Sequence, residues 1–152
     1  MSMYCTPSDL VLYAIPATAI TAQITNAMQV AACVAASGEA DASMRARYPL
    51  PLAPNYPIGG PFTTYDPALV KHVAYIAAFS LMSQRGFQGG GADNMIRENY
   101  YKAVGHPGVP GDRGFFGDVE RQSKHLDVVS ANPPPSPAYN LPQVFSRPPR
   151  GI

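Results

Sequence analysis

The chain has 152 residues, 46% of them apolar and only 14% charged, with a net charge of +1. That length carries one domain with a modest core, and so small a net charge with no basic run excludes a protein whose main work is neutralising phosphates. A surface this short of charge, against roughly 25% in typical soluble domains, is one that partners are expected to cover in part.

The opening MSMYCTPSDL has neither the charged start nor the continuous apolar core of a signal peptide. The longest apolar candidate, around Val73 to Phe79, is far short of the ~20 residues that span a bilayer. The expectation is a protein made in the cytoplasm, with no membrane contact. Cys5 and Cys33 have no CxxC spacing and read as two small buried hydrophobes in a reducing compartment, with a disulfide as the other option.

Thr6-Pro7-Ser8-Asp9 is a compact helix start. Thr6 caps, Pro7 suits the first helical position, and Asp9 favours the positive end of the helix dipole. This short helix would carry Leu10, Val11 and Tyr13 and stop before Pro16. A long second helix is expected to begin near Thr18 or Thr21, with Ile20, Ile24, Met28, Ala31, Ala35 and Ala42 on its buried face. Gly38 is a weak point within it, and Pro49 sets its limit.

That helix runs out on Arg45 and Arg47, followed by Tyr48 and by prolines at 49, 51, 54 and 57. Cations in a last turn meet the negative end of the dipole, so simple capping explains the arginines. The spacer at 49–65 reads as extended and semi-rigid.

Asp66-Pro67 opens a third helix with a buried stripe of Leu69, Val70, Val73, Ile76, Ala77 and Leu81, ending around Arg85-Gly86. GFQGGGADN then reads as a flexible joint, and its triple glycine lacks the Lys-Ser/Thr of a phosphate loop. A fourth helix, Asp93 to Val104, carries Met95, Ile96, Tyr100 and Val104 before GHPGVPGDRG breaks it. A fifth is expected from about Asp118 to Val129. The fold class is therefore all-α, a small bundle of four to five helices over residues 1–130.

From Ala131 onward seven of 22 residues are proline and the only charges are Arg147 and Arg150. Residues 131–152 read as an extended C-terminal docking arm. Gln143, Val144, Phe145 and Ser146 form its apolar centre, with Arg147 and Arg150 behind. Gln143 to Ser146 could add as a strand to a neighbour's sheet edge, or Phe145 could fill a pocket while the arginines pair with carboxylates. Prolines lower the entropy that such docking must overcome.

The residues that carry chemistry do not assemble into a catalytic motif. His72, His106 and His125 have no partner at metal-ligand spacing, no G-x-S-x-G occurs, and no carboxylate pair stands out. Asp112, Arg113, Asp118 and Glu120 read as a solvated loop and helix start. ITAQITNAM lacks the cations of a recognition helix. The expectation is no enzyme, no metal and no cofactor.

Three segments resemble a known family. MYCTPSDLVLY is similar to an opening Met-Tyr-x-Thr-x-x-Asp-Leu. AASGEADASMRARYPLPL resembles a helix of small residues and acids running into Arg-Tyr-x-x-Pro-Leu. QVFSRPPRGI resembles a terminal Val-Phe-Ser-Arg followed by a basic residue, glycine and an apolar end. DPALVKHVAYIAAFSLMSQR fits the next helix of the pattern, and the departure is at residues 105–140. The family is that of the head–tail connector (adaptor, or head-completion) proteins of tailed bacteriophages, in the Mu-like joining-protein branch.

The resemblance implies a virion protein of the neck. Its partners would be the portal protein, the next neck or tail-terminator protein, and copies of itself in a ring, usually a dodecamer. Packaged DNA would pass through the channel without sequence-specific binding. The arm would reach the portal through Val144, Phe145, Arg147 and Arg150, and Arg45, Arg47 and Tyr48 would sit at a subunit boundary or in the channel. The family has no catalytic residues to carry over. The competing readings are another virion-assembly protein, such as a tail-completion or minor capsid component, and a helical regulator unrelated to phage.

Overall fold

The computed structural model describes residues 3–20, 23–54, 56, 63–87 and 89–126. Among them the architecture is all-α, as the sequence implies, and the only β-type pairing is one isolated bridge between Tyr56 and Thr64.

The first helix, α1, begins with an α-helical turn, Pro7–Asp9, and widens into a π-helical turn, Leu10–Ala14. Its start is a reciprocal cap: Thr6 N–H donates to the Asp9 carboxylate at 2.7 Å, and Asp9 N–H donates to Thr6 Oγ1 at 3.4 Å. Leu10, Ala14 and Ile15 turn inward, while Val11 and Leu12 face solvent. A 3-10 turn, Ala17–Ala19, follows Pro16.

Helix α2 spans Asn26–Met44, so it starts later than the threonines at 18 and 21 suggest. The cap is Thr25, whose side chain accepts from Met28 N–H at 3.3 Å. Pro16 and the 3-10 turn use up the preceding stretch, and Ile24 is buried ahead of the helix rather than on it. The buried face is Ala32, Cys33, Ala36, Ser37, Ala40 and Met44. The expected stripe was off by one position: Ala31, Ala35 and Ala42 are exposed and Met28 half-buried. A helix with alanine on every side gives hydrophobic periodicity little to detect.

Helix α3, Pro67–Arg85, matches its expected bounds. The Asp66 carboxylate accepts from Ala68 N–H at 2.7 Å, and Pro67 occupies the first turn. Six consecutive residues, Val73 to Ala78, are buried, which marks α3 as the central helix. It packs against α2 on one side and α4 (Gly91–Val104) on the other. In α4, Ile96 and Ala103 are buried, Tyr100 is half-buried, and Met95 faces out. Tyr100 stacks on Phe79 of α3, ring centroids 4.0 Å apart.

The glycine-rich joint between these helices is pinned across its ends. Arg85 and Asp93 form a 2.8 Å ion pair whose side chains are 12% and 5% exposed. Chain freedom at the glycines is thus bounded by a largely desolvated contact.

Helix α5 spans Gly114–Glu120, earlier and shorter than the expected Asp118 to Val129. Asp112, not Asp118, organises its approach. The Asp112 carboxylate accepts from His106 N–H at 3.0 Å and Gly114 N–H at 3.1 Å. Gly105 (φ +96°) and Gly114 (φ +60°) meet where the loop closes, and a Cβ on Gly114 would lie 2.3 Å from Gly105 N. Phe115, Phe116 and Val119 then pack inward.

Cys5 and Cys33 are free, buried and adjacent. The hydrogen bond between them, together with burial, pushes the Cys5 thiol up.

Candidate interaction site

The chain leaving α2 is held to the bundle from its first residues. Arg47 and Tyr48 both bond through their N–H groups to Met44 O, at 2.9 and 3.0 Å, so this turn is an extension of the helix end. Arg45 points to solvent, whereas Arg47 and Tyr48 are 4% and 3% exposed. Simple dipole capping therefore does not describe Arg47, whose guanidinium is enclosed.

Arg47 reaches across to the segment after α5. One terminal nitrogen donates to Val119 O at 3.0 Å, and the other lies 2.8 Å from His125 Nδ1. Beside it, Tyr48 Oη accepts the Leu126 N–H at 3.1 Å. Leu126 is itself buried. Two adjacent residues thus grip the stretch from Val119 to Leu126.

The start of the spacer is packed as well. Leu52 is buried, and its N–H donates to Tyr4 Oη at 3.2 Å. The same hydroxyl donates to the Asp41 carboxylate on α2. Tyr4 N–H donates to Ser37 Oγ at 2.9 Å, and Ser37 Oγ in turn donates to Cys33 O at 2.7 Å. The first residues of the expected extended spacer are tied to their own bundle at Leu52.

The titratable groups near α5 are occupied structurally. His72 stacks on Phe115 with centroids 4.0 Å apart and planes 2° from parallel, and its Nδ1–H donates to Ala68 O at 2.7 Å. Burial pushes its pKa down. Backbone N–H groups of Gly114 and His106 hold the Asp112 carboxyl below the usual carboxylate range. Lys124 pairs with Asp118 at 2.9 Å. Among the described residues, no group of three or more His, Cys, Asp or Glu is arranged to hold a metal ion. No described helix is long and apolar enough to cross a membrane.

Of the sequence-predicted site residues, Arg45, Arg47 and Tyr48 are seen, and they divide into one exposed and two enclosed. Gln143, Val144, Phe145, Ser146, Arg147 and Arg150 lie outside the described residues, as does the boundary at 130/131. Sequence reasoning missed Tyr4, Val119, His125 and Leu126. Nothing local marks them, because each acts through a partner distant in the chain.

Compared with known proteins, the chain matches the family model described as "Bacteriophage Mu, Gp36" over residues 4–106. That span takes in α1 to α4 and the Arg47-Tyr48 pair, and it stops before α5 and the residues that the pair holds. Neither a curated protein nor a solved structure matches the chain.

Proposed function

This chain belongs to the bacteriophage Mu Gp36 family, and from that premise we propose that it is a structural head–tail connector. In this reading it forms a ring beneath the portal, continues the DNA channel, and offers its lower face to the next neck or tail-terminator protein. The family match over α1 to α4 is the observation that carries the reading.

Two features support it. The surface is charge-poor, and Val11 and Leu12 stand side by side 43% and 70% exposed on the π turn. Adjacent exposed apolar side chains on such a surface suit a protein–protein contact. The second feature is the far end of the sequence, where Val144 and Phe145 are flanked by prolines and followed by Arg147 and Arg150. An apolar anchor backed by guanidinium groups suits docking on a portal that offers a pocket and carboxylates. Each docking can be weak, since copies in one ring engage together once the first is bound. Arg45, exposed at the end of α2, is the member of its trio left to face a neighbour or the channel.

The test is co-assembly. Purified protein, intact and as Phe145→Ala, is mixed with portal rings of the same phage, and the products are weighed by native mass spectrometry. The connector reading expects the intact chain to join in integer copies per portal and Phe145→Ala to join poorly while folding normally. No binding by the intact chain sinks the reading and moves the search to other virion partners.

A further inference from the structure

We infer that Arg47 and Tyr48 are positioning residues for the C-terminal arm: they form a latch that fixes the chain at His125 and Leu126, from which the sequence of residues 127–152 continues. The inference deepens the connector reading, on which its docking consequence rests, but the latch itself stands on geometry alone.

Three bonds define it. Arg47 donates to Val119 O at 3.0 Å and lies 2.8 Å from His125 Nδ1, and Tyr48 Oη accepts from Leu126 N–H at 3.1 Å. They bracket the turn at 121–124, which is tied to α5: Ser123 and Lys124 N–H donate to Asp118 O, and Lys124 pairs with Asp118. The latch side is rigid, because both residues bond back to Met44 O at the end of α2. The Arg47 guanidinium also lies 5.6 Å from the Tyr48 ring centroid, so the two side chains support each other.

The chemistry fixes a further detail. A guanidinium has only donors. His125 Nδ1 must therefore be the acceptor, with its lone pair toward Arg47 and the ring proton on Nε2. The latch selects one neutral tautomer of His125. A free neutral imidazole populates both tautomers with Nε2–H in excess, so the latch shows itself as the loss of the minor Nδ1–H form.

The consequence concerns docking cost. Without the latch, the chain is next held where Ser123 and Lys124 bond to Asp118, and His125 and Leu126 join the tether. With it, every arm in a ring starts from the same point at the foot of α2. An arm of fixed origin loses less freedom on docking than one whose first residues are loose.

The experiment uses the full-length chain and two variants. Tyr48→Phe removes one hydroxyl and keeps the ring. Arg47→Lys keeps the charge and loses the fork, with Arg47→Met as the stronger change. Imidazole ¹⁵N NMR is expected to show His125 as the Nε2–H tautomer in the parent and as a mixture in Arg47→Met. Amide exchange at Leu126 should rise at least about tenfold in Tyr48→Phe, a local opening that leaves amides of α3 and α4 unchanged. A Leu126 amide as fast in the parent as in an unfolded chain, or an unchanged His125 tautomer in Arg47→Met, overturns the latch. If Arg47→Met fails to fold, Arg47→Lys and Tyr48→Phe carry the same readouts. Portal mixing then separates the two levels. Parent chain that fails to bind portal defeats the connector reading while the exchange data still decide the latch. Parent that binds, with latch variants binding equally well, removes the latch's role in docking.

Discussion

Tyr48 Oη accepts the backbone N–H of Leu126 at 3.1 Å across 78 positions of sequence. One residue earlier, Arg47 spans the same gap to His125 and a gap of 72 to Val119. The end of α2 and residues 119–126 therefore behave as one local unit, although sequence separates them by half the chain. Bonds of this kind cost chain entropy to close and become favourable only when the intervening helices are already packed.

Tyr4 is a second such junction, and Tyr4→Phe tests it. The change keeps the ring against Tyr65, where the centroids are 4.9 Å apart. It removes the hydroxyl that serves Asp41 and leaves the buried Leu52 N–H without its partner. The expected loss is about 1–3 kcal/mol in chemical denaturation. An unchanged midpoint would mean that the spacer start is held by packing alone.

Two glycines separate backbone necessity from helix propensity. Gly114 has φ +60°, and a Cβ there would meet Gly105 N at 2.3 Å. Gly114→Ala should cost more than about 2 kcal/mol, since left-handed strain and a backbone clash add. Gly38 lies inside α2 with nothing within 4 Å of an added Cβ. Gly38→Ala should stabilise by up to about 1 kcal/mol. Thermal melts of both variants check the contrast, and equal signs would contradict it.

Two ion pairs among the described residues should differ in weight. Arg85–Asp93 is largely desolvated, at 12% and 5% side-chain exposure, and breaking it by Asp93→Ala is expected to cost roughly 3 kcal/mol. Lys124–Asp118 has exposures of 51% and 38%, and Lys124→Ala should cost under about 1 kcal/mol. Urea titrations at low and high salt would show it. Only the exposed pair should lose its effect as salt rises.

His72 gives the fold a dependence on pH. Burial holds its folded pKa below the ordinary histidine value, so between the two values the unfolded chain binds more protons than the folded one. Stability therefore rises with pH in that window. It falls as pH drops through about 6.5, the unfolded value, and this contribution levels off below the folded value. His72→Gln should flatten the melting temperature between neutral pH and pH 5 relative to the parent. Parallel profiles for the two proteins would assign the acid sensitivity elsewhere.

What sequence alone determined is what local physics controls. The class of fold, the bounds of α3 at Pro67–Arg85 and the end of α4 at Val104 follow from caps, prolines and glycines acting within a turn or two. The likeness to a phage family was legible for the same reason, since the Arg-Tyr-Pro-Leu run is contiguous. Tertiary structure decided the rest. Alanines on every side of α2 left its buried face open until packing of the bundle enclosed Ala32, Ala36 and Ala40 rather than Ala31, Ala35 and Ala42. Asp118 looked like a helix start, but the Gly105–Gly114 contact, which exists only in the folded loop, placed α5 earlier. Arg47 is the clearest case. Beside a helix end its charge reads as a cap, yet its partners are a carbonyl and an imidazole 72 and 78 residues away. A guanidinium can be enclosed only where acceptors converge on it, and that convergence is a property of the packed bundle.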